Sequence, residues 1–286
     1  MALKTYTPYT PSRRTIVWYD FSDLTTNKPE KSLTISLWRS SWRNNQWRIT
    51  SRFRGGWHKR LYRMIDFRWY DKLNIPAKVV SVEYDPYRTA RIVLLHYVDG
   101  EKRYHLAWKG VSVWDVIVTG PDAKILPGNR KQLKDIPDGF AIYNLEVTPL
   151  TKAKLLRSAW VSATIMGRDD QEGIVYIKLP SGEVRKFNQN CYVTIGTLSN
   201  EEHKNIVIGK AGRSRWLWRK WHVLGKSMNP VDHPHGGWEG HTDISLKAPK
   251  AFNGRNVAPG KKTRSTKKWS TSFIVTRRKN KAEKKN

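Results

Sequence analysis

The chain has a single cysteine, Cys191, which excludes an internal disulfide framework and any zinc site built on several thiolates. No run of about 18 apolar residues occurs in it, so no segment is suited to cross a bilayer as a helix. The opening residues, Met1 to Pro8, lack the apolar stretch of a signal peptide. A protein of a reducing compartment with no membrane partner is expected. Acid is scarce as well: 24 Asp and Glu stand against 53 Lys and Arg, a net charge of +29 over 286 residues. Such charge repels itself on a compact surface and calls for a polyanion, nucleic acid by default. Only 38% of the residues are hydrophobic, which favours a modest core with polar extensions.

What is present is unevenly placed. Arg39 to Arg63 holds eight basic residues and no acid; Lys204 to Lys226 holds seven and none; beyond Ala251, twelve face the single Glu283. Met64 to Gly128 carries nine basic and eight acidic residues, and Asn129 to Glu202 ten and nine. Two nearly neutral blocks, 63–128 and 129–202, are thus flanked by basic extensions, 1–62 and 203–286. The blocks read as β-structure. Lys78 to Tyr84 and Ala90 to Tyr97 are rich in β-branched and aromatic residues and are separated by the turn signal Asp85-Pro86. Asp99-Gly100 then precedes Lys102 to Leu106. Gly173 to Leu179, Pro180-Ser181-Gly182 and Glu183 to Phe187 repeat the hairpin pattern, and Tyr192 to Ile195 follows as a further strand. Short strands at that spacing indicate small barrels. The one helix candidate is Thr151 to Ser158.

The basic extensions mix cations with Gly, Asn and aromatics, as in Arg52-Phe53-Arg54-Gly55-Gly56-Trp57-His58-Lys59-Arg60. Cations neutralise phosphates, planar rings stack on bases, and glycine lets a backbone come close. For one such segment a solvated charged loop is the plainer reading. Three segments nearly free of acid make RNA the expected partner. The candidate RNA-binding residues are Arg43, Arg48, Arg52, Arg54, His58, Lys59, Arg60 and Arg63 in the first extension. In the second they are Lys210, Arg213, Arg215, Trp216, Arg219, Lys220, Lys261, Lys262 and Arg264. Trp216 reads equally as a stacking residue or as local packing.

The sharpest local feature is Met228-Asn-Pro-Val-Asp-His-Pro-His-Gly-Gly-Trp-Glu-Gly240. Ile49 to Arg63, Val82 to Arg88, Asp99 to Tyr104, Leu179 to Arg185, Gly209 to Trp216 and Gly260 to Ser265 accompany it in a fixed order. Together they resemble the universal large-subunit ribosomal protein L-two family, from about Pro11 to Arg278. The resemblance implies a mainly β chain: an oligonucleotide-binding-type (OB) five-stranded barrel, then an SH3-like barrel, with the extensions lying in ribosomal RNA. It implies a structural constituent of the large subunit, not an enzyme, bound to 23S-type rRNA near the peptidyl-transferase centre. Subunit association, tRNA binding and peptide-bond formation would be supported without the chain being the catalyst. The implied partners are large-subunit rRNA, other ribosomal proteins and, through an intersubunit bridge, the small subunit. No cofactor, metal or stable homo-oligomer is expected. The location would be the ribosome of a cytoplasm, or of an organellar matrix or stroma. The alternatives are a non-ribosomal basic RNA- or DNA-packaging protein, which predicts no special role for the Asn229 to Gly240 loop, and a His-dependent nucleic-acid enzyme.

Asn229, Asp232, His233 and His235 of that loop join the candidate RNA contacts. An Asp beside a His can orient a general base, and two His with a carboxylate can hold a metal. The loop is rich in Pro and Gly, however, and no nucleophile motif accompanies it. In the family, the histidine matching His233 lies near the catalytic centre; hydrogen bonding and packing against RNA are expected of it rather than proton transfer.

Fourteen tryptophans are many for such a fold. Trp42, Trp47, Trp57, Trp114, Trp160, Trp218 and Trp238 stand where the family pattern has glycine, which supplies positive φ or close approach. UGA means tryptophan in some genetic codes and glycine in certain bacterial lineages, so a gene of the second kind read with the first code would give this pattern. Indoles stacking on RNA bases are the alternative. Trp216 is outside the question, because the family also has tryptophan there. Pro149 to Leu155 departs as well from a segment that is glycine-rich in the family.

Overall fold

A computed structural model describes residues 3–37, 42–55, 58–237, 244, 246–257, 264–265 and 267–278. The chain forms two compact units. The first comprises Met1–Trp38, Lys59–Lys210 and Ser272–Asn286; the second comprises Arg39–His58 and Ala211–Thr271.

The first unit is mainly β. Two hairpin-like pairs, β1 (Leu3–Thr5) with β2 (Val17–Tyr19) and β3 (Thr34–Ser36) with β4 (Leu61–Arg63), accompany two curled antiparallel sheets. One sheet consists of β5 (Ala77–Glu83), β6 (Ile92–Tyr97), β7 (Lys102–Leu106) and β8 (Val116–Ile117), in the order β7-β6-β5-β8. The other comprises β9 (Arg130–Gln132), β10 (Ala141–Tyr143), β11 (Ala163–Asp169), β12 (Ile174–Lys178), β13 (Val184–Asn188), β14 (Tyr192–Ile195) and β15 (Ile274–Thr276). Its order is β15-β13-β12-β11-β10-β14-β9. The register slips between Val79 and Ser81 and between Ile165 and Gly167; such bulges bend a strand and let a sheet curl. The architecture is that of OB-type and SH3-like barrels.

Alternation in the first half of β5 and nearly continuous burial of β6 explain these strands. Ala77, Val79 and Ser81 of β5 point inward while Lys78 faces solvent, and β6 contributes Ile92, Val93 and Leu95, all without exposure. Burying each large aliphatic side chain contributes about 1.5–3 kcal/mol. The expected helix over Thr151–Ser158 does not form. Leu150 and Leu156 both adopt φ of 58°, which a right-handed helix does not allow. Leu155 instead pairs with Leu145, the Ala153 N–H donates to the Phe67 carbonyl at 2.9 Å, and Ala153 and Leu156 turn into the core. Burial of a few apolar side chains here outweighs local helical propensity. The α-helices among the described residues are α1 (Pro11–Thr15) and α2 (Ala211–Trp216), the latter in the second unit.

Several arginines of the first unit are paired with acids of the same unit. Arg103 binds Asp66, Asp71 and Glu101; Arg88 binds Asp85, and Arg91 binds Asp23. One pair is wholly interior: Arg130 and Glu146 have no side-chain exposure. Tyr70 Oη donates to Glu146 at 2.9 Å, and the Tyr192 N–H donates to its other oxygen at 3.1 Å. The Arg130 guanidinium lies 4.9 Å from the ring of Trp69, which in turn stacks on His105 at 3.8 Å. Burial, together with Arg130 and Arg103, holds His105 well below the ordinary imidazole range, so it is neutral and packs as an aromatic.

Candidate nucleic-acid interface

In the second unit, two stretches far apart in the chain lie side by side. Arg54 bridges Arg219 in antiparallel fashion, the Lys220 N–H donates to the Phe53 carbonyl at 2.9 Å, and the Gly55 N–H to the Trp218 carbonyl at 3.2 Å. A hairpin with Arg43 opposite Ile49 precedes the first stretch, and α2, with Arg213 and Arg215 in its last turn, precedes the second. Between them opens a cleft of about 640 Å³. Arg43, Arg52, Arg54, Arg215 and Lys220 line it, with Ile49, Ser51, Phe53, Gly55 and Trp221, and none of these described lining residues is acidic. Arg52 lies 4.1 Å from the ring centre of Phe252, and Phe53 tilts against His222 at 4.3 Å. Gly55, at φ 130°, lets the Lys220 side chain approach to 3.2 Å from where a β-carbon would stand.

The whole unit holds 18 Lys and Arg against three acids, just over half of the chain's net charge of +29. Cations gathered in one concavity focus a positive field. Aromatic rings beside them add stacking surface. The combination suits a phosphodiester chain with accessible bases.

The histidine loop is a separate structure within this unit. The N–H groups of Asp232 and His233 both donate to the Asn229 carbonyl, and the Gly237 N–H closes on the Met228 carbonyl at 3.0 Å. The His235 N–H donates to Nδ1 of His233 at 3.0 Å, and the Lys250 N–H to Nε2 of His235 at 2.8 Å. Each imidazole therefore accepts a backbone hydrogen bond on one nitrogen and carries its proton on the other. His233 presents Nε2–H and His235 presents Nδ1–H, both as donors. Partial burial, with His235 and Arg52 nearby, holds His233 below the ordinary imidazole range and keeps it uncharged at neutral pH. Among the described residues, the exposed Asp232 carboxylate hydrogen-bonds neither ring, so no Asp–His dyad is assembled. Gly225 and Gly236 pack without side chains against the His233 ring and the Asn229 carbonyl; a β-carbon at either would lie within 2.5 Å of them. The loop is built to fix two imidazole donors.

The other sequence candidates are dispersed. Arg48, Arg219, Asn229 and His58 are exposed in the second unit, and Arg213 is half-buried there. Trp216 is 60% exposed, which favours a stacking surface over local packing. Arg264 donates to Ser270 and Thr271 hydroxyls. Lys59, Arg60, Arg63 and Lys210 belong to the first unit, where Arg60 donates to the Pro86 carbonyl and the buried Arg63 to the Leu61 carbonyl. Lys261, Lys262, Trp57 and Trp238 lie outside the described residues. Sequence reasoning missed Phe53 and Trp221, although both sit inside basic segments where aromatic type alone nominates them. Phe252 carried no signal. A second cleft, in the first unit, is lined by Tyr62, Phe67, Tyr87, Arg88 and Arg157 with two hydroxyl residues, and it too went unread.

A mainly β unit of small barrels and a second unit carrying a basic cleft describe a basic β protein with a surface suited to a polyanion. The description "Ribosomal Proteins L2, RNA binding N-terminal domain" matches residues 30–119, and "Ribosomal Proteins L2, C-terminal domain" matches residues 126–254. The chain belongs to the ribosomal protein L2 family. Its membership places it in the large subunit of a ribosome, bound to ribosomal RNA among other ribosomal proteins. That family is structural rather than enzymatic.

Proposed function

We propose that the chain is a structural constituent of the large subunit that binds 23S-type rRNA beside the peptidyl-transferase centre through its second unit. One observation carries this reading: two basic stretches far apart in the chain pair through their backbones and gather five cations in one cleft with no acid among its described lining residues. The histidine loop supplies two fixed imidazole donors suited to base edges or phosphate oxygens, and it contributes by holding RNA in place rather than by moving a proton. Subunit association, tRNA binding and contact with the small subunit through an intersubunit bridge follow from that position. The chain acts as a single copy, and the peptidyl-transfer chemistry belongs to RNA.

Replacing Arg52, Arg54 and Lys220 together by alanine tests the assignment. Loss of three phosphate contacts should lower the slope of log affinity against log salt by roughly 2.7 for an rRNA fragment, and the variant should be depleted from large subunits on a sucrose gradient. His233→Ala in the same assay should impair assembly or activity of the subunits, while the isolated protein forms no peptide bonds. Unchanged slope and full incorporation of the triple variant would remove the cleft from the interface.

A further inference from the structure

Backbone conformation sorts the tryptophans into two kinds. A φ between +20° and +160° drives a β-carbon against the adjacent peptide, so residues other than Gly, Asn and Asp seldom adopt it. Of the eleven described tryptophans, six do: Trp42 at 61°, Trp47 at 59°, Trp69 at 63°, Trp114 at 81°, Trp160 at 62° and Trp218 at 65°. Trp18, Trp108, Trp216, Trp221 and Trp269 do not.

Five of the six sit where local hydrogen bonding calls for glycine. Trp218 follows α2 by two residues; its N–H bonds the Arg215 carbonyl, and the Arg219 N–H bonds that of Ser214. That is the Schellman arrangement, whose left-handed residue is most often glycine. Trp47 closes the loop of the hairpin in which Arg43 faces Ile49, with the Asn44 N–H bonded to the Arg48 carbonyl, at the left-handed place of a three-residue loop. Trp114 and Trp160 are each the third residue of a turn. The turns are closed by Asp115 N–H to Ser112 O at 3.3 Å and by Val161 N–H to Ser158 O at 3.3 Å. Positive φ at the third residue alone is the type II pattern, which selects glycine. On the Trp42 carbonyl converge the N–H groups of both Thr50 and Ser51, two residues against one as in a bulge.

Packing does not offset the strain at most of these places. Trp42, Trp47, Trp114 and Trp160 are 44–67% exposed, and the ring contact at Trp114 is with the Lys78 ammonium, 4.2 Å away. Trp69 differs. It is 3% exposed, stacks on His105, lies under the Arg130 guanidinium and donates Nε1–H to the Asp66 carbonyl at 2.8 Å. There the interior holds an indole in place against its backbone.

We infer that the protein made in its own cell carries glycine at 42, 47, 114, 160 and 218, each codon being read there as glycine, and tryptophan at 69. The inference is independent of what the cleft binds, but it alters that surface: positions 42, 47 and 218, in the two stretches that form the cleft, then present bare backbone. Phosphate can approach such backbone more closely than any indole permits.

Two readings of the source test it. In the gene, the five positions should be UGA and position 69 UGG; UGG at the five overturns the inference. In protein purified from native large subunits, peptide mass spectrometry should find glycine mass at each of the five and tryptophan mass at 69. Tryptophan mass at the five would show that the indoles are genuine, leaving base stacking as their use. A recombinant chain carrying Trp42→Gly, Trp47→Gly, Trp114→Gly, Trp160→Gly and Trp218→Gly should melt at a higher temperature than the printed sequence, whereas Trp69→Gly should melt lower. A fall in the first contradicts the strain argument.

Discussion

Raising monovalent salt from roughly 50 to 200 mM should weaken binding of this chain to a large-subunit rRNA fragment by about 10³-fold, since each phosphate neutralised releases close to one counterion. The five cations of the cleft alone account for most of that loss. The effect is large because five cations are gathered in one cleft with no acidic residue among its described lining, which focuses a positive field on phosphate. Arg88, Arg91 and Arg103 of the first unit should contribute far less. They are already engaged by Asp85, Asp23 and the Asp66, Asp71 and Glu101 group. Filter binding or fluorescence anisotropy over a salt series measures the slope. An affinity that changes less than tenfold over this range would show that the cleft makes no ionic contact with RNA.

Glu146→Ala should destabilise the RNA-free protein by about 3–5 kcal/mol, the usual consequence of leaving one member of an interior ion pair without its partner. Arg130 would then be a buried cation facing the Trp69 and Tyr192 rings with no carboxylate, and the Tyr192 N–H would also lose its acceptor, whereas the Tyr70 hydroxyl keeps the Thr151 carbonyl. Nε and one terminal nitrogen of Arg130 have no hydrogen-bond partner among the described residues, so nothing there is ready to replace the carboxylate. Replacing both residues at once, Arg130→Met with Glu146→Leu, should recover most of the loss, because neither charge then needs solvating. Urea unfolding followed by intrinsic fluorescence reads both variants. A loss below about 1 kcal/mol for Glu146→Ala would mean that water reaches the pair, contrary to its burial.

Most of the longer strands were legible in the sequence, for a physical reason, although the seven-residue β11 went unread. β5, β6, β7, β12, β13 and β14 are runs of β-branched and aromatic residues bounded by turn dipeptides, and the burial of such side chains forms them. β8, β9 and β10 were not legible: two or three residues each, one of them Arg130-Lys131-Gln132, held by backbone pairing to strands distant in the chain. The types of barrel came from a resemblance, and no periodicity gave them. Thr151 to Ser158 misled because helical propensity is local, whereas Pro149, two left-handed leucines and a buried Ala153 reflect the surrounding core.

The site was half legible. Acid-free segments around Arg52 and Arg215 announced themselves by charge. That residues 53–55 would pair with 218–220 left no local trace, since the contact joins stretches separated by both barrels. Arg63 read as one more phosphate ligand, yet it is turned inward to the Leu61 carbonyl, a placement set by the pairing of β3 and β4 that charge counting ignores. The histidines showed the reverse. Their spacing suggested a base or a metal pair, and only the backbone donors at His235 and Lys250 reveal which nitrogen of each ring holds the proton.

The most direct test of the central claim is ultraviolet cross-linking in intact large subunits, followed by identification of the peptides joined to RNA. Cross-links from large-subunit rRNA to peptides within 42–55 and 211–237 are predicted, Phe53, Trp216 and Trp221 being the rings placed to react. Cross-links confined to the first unit, or the chain's absence from particles containing large-subunit rRNA, would contradict it.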